Sequence, residues 1–228
     1  MKAGEFNGFS PDTRFFLFNL VMMNSREWFE EHREEYRECL LHPLQDLVRS
    51  LAETMLSIDP ELDVAPVTGR TISRIYRDTR FSRDKSIFRG SMWITFKRPR
   101  KDWQDTPGFF FEINPVTYRY GMGFYRAQKS TMDRFRETIA KKPQEFLKTV
   151  AFMEDREGFR LEGDKYKRTL DPAQPPAIQD WYQRKSFYIA CHREADDRLF
   201  SRGILDDLAS GFQAAAPLYH YLWKVCRG

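Results

Sequence analysis

The chain has 228 residues, three cysteines and a formal net charge of +4, with 41% hydrophobic, 31% charged and 15% aromatic residues. That much apolar surface excludes a disordered chain, and the length suits one large domain with a real core. No run approaches the ~18–20 apolar residues that a membrane-spanning helix needs, and the N-terminus shows no secretory h-region. Cys39, Cys191 and Cys226 are odd in number and far apart, as expected of reduced thiols in a cytoplasm. Neither they nor His32, His42, His192 and His220 have zinc-like spacing, so no metal and no cofactor is expected. The oligomeric state is not readable from the sequence.

Charge is unevenly spread. Residues 1–69 carry 6 basic and 13 acidic groups, residues 70–101 carry 11 and 2, and residues 102–228 carry 20 and 18. The middle block is a concentrated positive field, able to attract phosphates, carboxylates, nucleic acid or the protein's own acidic helix.

In chain order, Ser10-Pro11-Asp12 reads as a helix start, with Ser10 as N-cap. Asn24-Ser25-Arg26-Glu27 reads as a capping box with Asn24 as N-cap. The helix behind it places Trp28, His32 and Tyr36 on one inward face and five glutamates between Glu30 and Glu38 on the wet face. Pro43 should break or kink this helix near His42, and the N-terminal helices should end near residue 57. A sheet region follows over about 70–125. Thr71–Tyr76, Ser91–Lys97, Phe109–Ile113 and Tyr118–Phe124 alternate as strands do, the last two joined at the Asn114-Pro115 turn. A mixed helical region occupies about 130–226. It holds helices at Thr131–Ala140 and Pro143–Phe152, strands at Phe159–Leu161 and Ser186–Cys191, and one or two helices over Asp197–Val225, interrupted by Pro217. The expectation is a single α+β domain: a mainly antiparallel sheet of about five strands packed against N- and C-terminal helices.

Three places are candidates for chemistry. Between Arg74 and Lys85, arginines alternate with aspartates and with Tyr76 and Phe81, which would anchor the loop. A planar guanidinium suits bidentate binding of phosphate or carboxylate, so Arg74, Arg77, Arg80, Ser82 and Lys85 are the candidate ligand-binding residues. The plainer reading is a salt-bridged loop facing water. His32 and Tyr36 are candidate acid–base groups on the inward face, with Asp78 a third catalytic candidate. A core histidine bonded to a carbonyl is the competing reading for His32. Gly121 and Gly123 lack the third glycine of a dinucleotide fingerprint and read as a packing or bulge device. No P-loop, nucleophile elbow or zinc-protease motif is present.

Several motifs resemble one family. They are Phe9–Thr13 (F-S-P-x-T), Asn24–Tyr36 (N-x-R-E-W-F-x-x-H-x-x-x-Y) and Arg74–Ser86 (R-I-Y-R-D-T-R-F-S-x-D-K-S). Pro107–Pro115, Gly121–Arg126, Lys167-Arg168 and Arg184-Lys185-Ser-Phe are also similar. The family is a set of bacterial and fungal domains of unknown function, DUF2461. The resemblance implies one cytoplasmic domain and no particular reaction. Where the family often continues Ser/Thr-Pro-Tyr-Lys, this chain has Ser86-Ile87-Phe88-Arg89, which removes a tyrosine hydroxyl at Phe88.

Three functions fit these observations. The first is a pocket for an anionic small molecule, with arginine supplying electrostatic stabilisation if there is turnover. The second is a nucleic-acid-binding module, with Trp93 or Trp103 as stacking platforms. The third is a structural or interaction domain whose basic loop pairs with its own acidic helix.

Overall fold

The computed structural model describes residues 5–80, 84–156 and 158–227. Five strands form one antiparallel sheet: β1 (Met92–Phe96), β2 (Pro107–Ile113), β3 (Thr117–Phe124), β4 (Phe159–Glu162) and β5 (Tyr188–Glu194), in the order β1-β2-β3-β5-β4. With helices before and after it, the α+β expectation is borne out. Three of the five strands, β3, β4 and β5, come from the C-terminal half of the chain. β4 pairs with β5 in the register Phe159↔Cys191 to Glu162↔Tyr188.

Residue contacts gather into two compact units. The first comprises Met1–Phe96, Phe110–Arg119 and Arg193–Ser210. It opens with α1 (Pro11–Met23), capped by Ser10 as expected. Asn24 is not the N-cap of the next helix: it ends α1 in the left-handed conformation, at φ 33°. The cap is Ser25, whose Oγ accepts from Trp28 N at 3.2 Å. The next helix is also not continuous. α2 (Arg26–Glu31) stops at His32, α3 (Arg33–Tyr36) follows, and a π-helical turn over Arg37–Leu41 leads into α4 (His42–Ile58). Pro43 sits in the first turn of α4, where its missing N–H is not needed, and the wide turn before it absorbs the mismatch. Leu44, Leu47, Val48, Leu51 and Met55 recur at three- and four-residue spacing and are fully buried.

Thr71–Tyr76 alternates like a strand but makes only isolated bridges, Ile72 with Ile94 and Tyr76 with Phe88. A side chain interrupts the ladder. Trp93 N donates to Ser73 Oγ at 3.0 Å rather than to a backbone carbonyl. The β2–β3 turn is an Asx turn, in which Asn114 Oδ1 accepts from Val116 N at 2.9 Å and Thr117 N at 2.8 Å.

The second unit comprises Lys97–Phe109, Tyr120–His192 and Gly211–Gly228. It holds α5 (Lys129–Lys141), α6 (Pro143–Val150), α7 (Phe152–Asp155), α8 (Pro176–Tyr182) and most of α9 (Gly203–Arg227). α9 runs unbroken through Pro217, in place of one or two interrupted helices. Phe135, Phe146, Trp181 and Phe187 build an aromatic core with ring centroids 4.9 to 5.5 Å apart. Two buried arginines are bonded into this unit. Arg136 donates to Tyr182 O and Arg184 O, and Arg184 to Gly163 O and Leu161 O. Gly121 fulfils the packing role expected of it, since a Cβ there would lie 1.9 Å from Ile189 O on β5.

Among the described residues, no helix is long and apolar enough to cross a membrane. No group of three or more potential metal ligands occurs among them.

Candidate functional site

The described residues of the basic segment form two arms of a hairpin held edge to edge. Arg77 N donates to Ile87 O at 2.8 Å and Arg89 N to Ile75 O at 2.9 Å, either side of the Tyr76–Phe88 bridge. One side chain pins it to the end of α1. Asn24 Oδ1 accepts from Ile87 N at 2.7 Å and Phe88 N at 3.1 Å, while Nδ2 donates to Phe88 O at 3.3 Å. Asparagine suits this position twice over. It tolerates the left-handed backbone, and its carboxamide both donates and accepts.

Beneath the hairpin lies an aromatic floor. Phe88 stacks on Phe29 at 4.6 Å, and Tyr76 packs against both, 4.9 Å from Phe88 and 5.8 Å from Phe29. Phe29 and Phe88 are buried, whereas Tyr76 is 44% exposed. The buried position of Phe88 explains how the chain dispenses with a tyrosine there: a hydroxyl would need a partner inside this stack.

The cations stand on this base with mostly local partners. Arg80 forms a two-armed pair with Asp78, Nε to Oδ1 at 2.9 Å and Nη2 to Oδ2 at 2.7 Å. Those hydrogen bonds pull the Asp78 carboxyl down to about 2. Lys85 Nζ donates to Thr79 O at 2.8 Å. Arg89 donates to Tyr76 O at 3.3 Å and lies over the Trp93 ring at 4.8 Å. Arg74 is exposed and runs beside Gly69, where a Cβ would come within 3.1 Å of its Nε. Arg77 is the most enclosed of the described candidate cations, its side chain 27% exposed, with Nη2 3.1 Å from Asp84. Its Nε is buried and has no partner among the described residues. Ser82, with Phe81, lies outside the described residues.

The acidic face of α2 and α3 keeps its own partners. Glu30 pairs with Arg33 and Glu34 with Arg37, both one turn apart. Tyr36 is linked to the hairpin through Phe29, whose ring lies 5.4 Å from Tyr36 and 5.8 Å from Tyr76. Burial, with the Tyr76 phenol adding to it, pushes Tyr36 up to about 12, so it is a neutral phenol at ordinary pH. His32 goes elsewhere. It stacks on Trp28 at 4.1 Å, its Nδ1 lies 2.8 Å from Trp28 O, and no ring contact or hydrogen bond joins it to the hairpin among the described residues. The face itself persists, since His32 N donates to Trp28 O at 3.1 Å, Tyr36 N donates to His32 O at 2.9 Å, and Phe16 touches both Trp28 and Tyr36; it is the His32 ring that is spent on Trp28. Sequence reasoning missed Asn24, which organises the hairpin from 63 residues away. Its one readable signal was an Asx residue between two helical runs.

The second unit contains a cavity of about 300 Å³ lined by Arg100, Asp102, Asp105, Thr131, Trp223 and Cys226, among others. Its charges are matched within the lining, Arg100 with Asp102 at 2.8 Å. Burial, with Asp105 next in effect, pushes the Cys226 thiol up to about 12, which removes it as a nucleophile.

Fold and site together define an α+β protein with an arginine-bearing hairpin on an aromatic floor. The chain belongs to the conserved hypothetical protein family DUF2461, whose model matches residues 12–221. That stretch includes the hairpin, Asn24 and the whole sheet. No curated protein matches the chain.

Proposed function

We propose that this is an anion-binding protein whose ligand, a small molecule bearing a phosphate or carboxylate, is held by the 74–89 hairpin. The observation that carries the reading is Arg77. Its side chain is three-quarters buried and gives one arm to Asp84, while its buried Nε donor has no partner among the described residues. An unpaired buried donor on a cation is costly, and an oxyanion would satisfy it. Arg74, Arg80 and Lys85 surround it in sequence and would add attraction, with Ser82 a further contact. Asp84 would act as a place-holder that the ligand displaces or shares. For a reaction at a phosphate or carboxylate group, the chemistry such a site supplies is electrostatic stabilisation by arginine. Asp78 then orients Arg80, and His32 takes no part. A reducing cytoplasm is the setting we infer, supported by three free cysteines, Cys39, Cys191 and Cys226.

The test is a thermal-shift screen at fixed moderate salt with inorganic phosphate, pyrophosphate, nucleotides, dicarboxylates and short oligonucleotides. A ligand at about 100 times its dissociation constant adds about 2.7 kcal/mol to stability. The expected result is a shift with small anions that Arg77→Gln abolishes. Silence across the panel, or a shift that Arg77→Gln leaves intact, would sink the proposal. In the first case the pairing of Arg77 with Asp84 and Arg80 with Asp78 is the loop's whole role. A response to oligonucleotides alone, falling steeply with salt, would point to nucleic acid instead.

A further inference from the structure

α1 is apolar on both faces. Phe16, Leu17 and Leu20 are fully buried, as a packed helix requires. Yet Phe15 (64%), Phe18 (53%), Val21 (46%), Met22 (67%) and Met23 (58%) are exposed on the same 13-residue helix. Phe15, Phe18 and Met22 follow the i, i+3, i+7 spacing of a single stripe, and Asn19 is the one polar residue between Phe15 and Met23. At ~200 Å² for a full phenylalanine and somewhat less for the others, the five present on the order of 500 Å² of apolar surface. A helix apolar all round belongs inside something.

We infer that a second copy of this chain covers this face, packing α1 against α1 across a two-fold axis near Phe18. Three observations favour a copy over other occupants. The first is area: doubled by symmetry, the stripe buries on the order of 1,000 Å², the lower bound of a specific interface before any rim is counted. The second is charge. The stripe carries none between Phe15 and Met23, so self-association meets no like-charge penalty. The third is the charge at its ends. An antiparallel pair centred on Phe18 sets Phe15 opposite Val21. It also brings exposed Asp12 of one copy to the end of α1 where exposed Arg26 stands in the other. The antiparallel helix dipoles add to the same preference. A lipid surface fits less well. The helix that follows turns Glu27, Glu30, Glu31 and Glu34 to solvent, and an anionic membrane would repel them.

The proposal stands apart from the anion reading, since it uses none of the residues assigned to that reading. The test is sedimentation velocity of the full chain over a micromolar concentration series, with Phe18→Glu as the variant. The expected result is a species of twice the 27.2 kDa chain mass. Phe18→Glu should weaken its dissociation constant by about a hundredfold or more, because symmetry buries the new charge twice. Circular dichroism and the melting temperature of the variant check that it folds, as the exposure of Phe18 predicts. Phe18→Cys gives a second readout. Near the axis it should form a disulfide-linked dimer under mild oxidation that the wild-type chain, with its own three cysteines, does not. A monomeric wild-type chain, a dimer that Phe18→Glu leaves intact, or binding to anionic vesicles that Phe18→Glu abolishes would each overturn the proposal.

Discussion

Replacing Asn24 separates two contributions that one side chain makes at once. Asn24→Ala removes the acceptor for Ile87 N and Phe88 N and the donor to Phe88 O, and leaves a Cβ-bearing residue at φ 33° with no polar compensation. Each lost hydrogen bond is worth about 0.5–1.5 kcal/mol, and these are part-buried, so about 2–3 kcal/mol is expected from the three. The left-handed backbone adds about 1 kcal/mol for alanine. Asn24→Gly loses the same hydrogen bonds but relieves the backbone. The expected losses are therefore about 3–4 kcal/mol for alanine and about 1 kcal/mol less for glycine. Urea titration followed by tryptophan fluorescence gives these values. At this chain length a loss of 3 kcal/mol corresponds to a melting temperature lower by about 6–12 °C. An alanine variant within about 0.5 kcal/mol of wild type would refute the pinning role. Equal losses for glycine and alanine would refute the backbone contribution alone.

Two further outcomes follow from burial and packing. Tyr36, raised to about 12, keeps its contribution in full below the ordinary tyrosine value near 10 and loses it as pH rises toward 12. Stability should therefore fall over that window by about 2–3 kcal/mol on account of this group, and Tyr36→Phe should flatten the fall; an unchanged alkaline profile in Tyr36→Phe would count against the buried neutral phenol. Gly121→Ala places a methyl 1.9 Å from Ile189 O, a backbone atom that cannot swing aside. Soluble yield and the circular-dichroism melt should collapse, and a variant that melts within a few degrees of wild type would show that β3 and β5 are not so tightly apposed.

The class of fold was legible because period-two and period-3.6 apolar patterns are local. β1, β2 and β3 lie close to where alternation places them, and α4 buries the stripe that its spacing announces. The site was only partly legible, and the misses share a cause. Asn24-Ser25-Arg26-Glu27 reads as a capping box with Asn24 as the cap, yet the cap is Ser25. Asn24 leaves the cap because it is claimed by Ile87 and Phe88, more than sixty residues away. Ser73 spoils a strand by offering its hydroxyl to Trp93 N. His32 is spent on Trp28, in a ring stack and a contact to its carbonyl. The arginines of the hairpin were visible as composition. Which of them has an unspent donor depends on a carboxylate seven residues on and on burial that no spacing reveals.

The division of the chain into units has a consequence for synthesis. Neither unit is a contiguous length of polypeptide: the first needs Arg193–Ser210, and the second begins before the first is complete. At about 5–20 residues per second, the segment that completes the first unit emerges on the order of ten seconds after Phe96. During that interval α1 has already left the ribosome with both faces apolar. No single cut in the chain can therefore yield the two units as separate fragments.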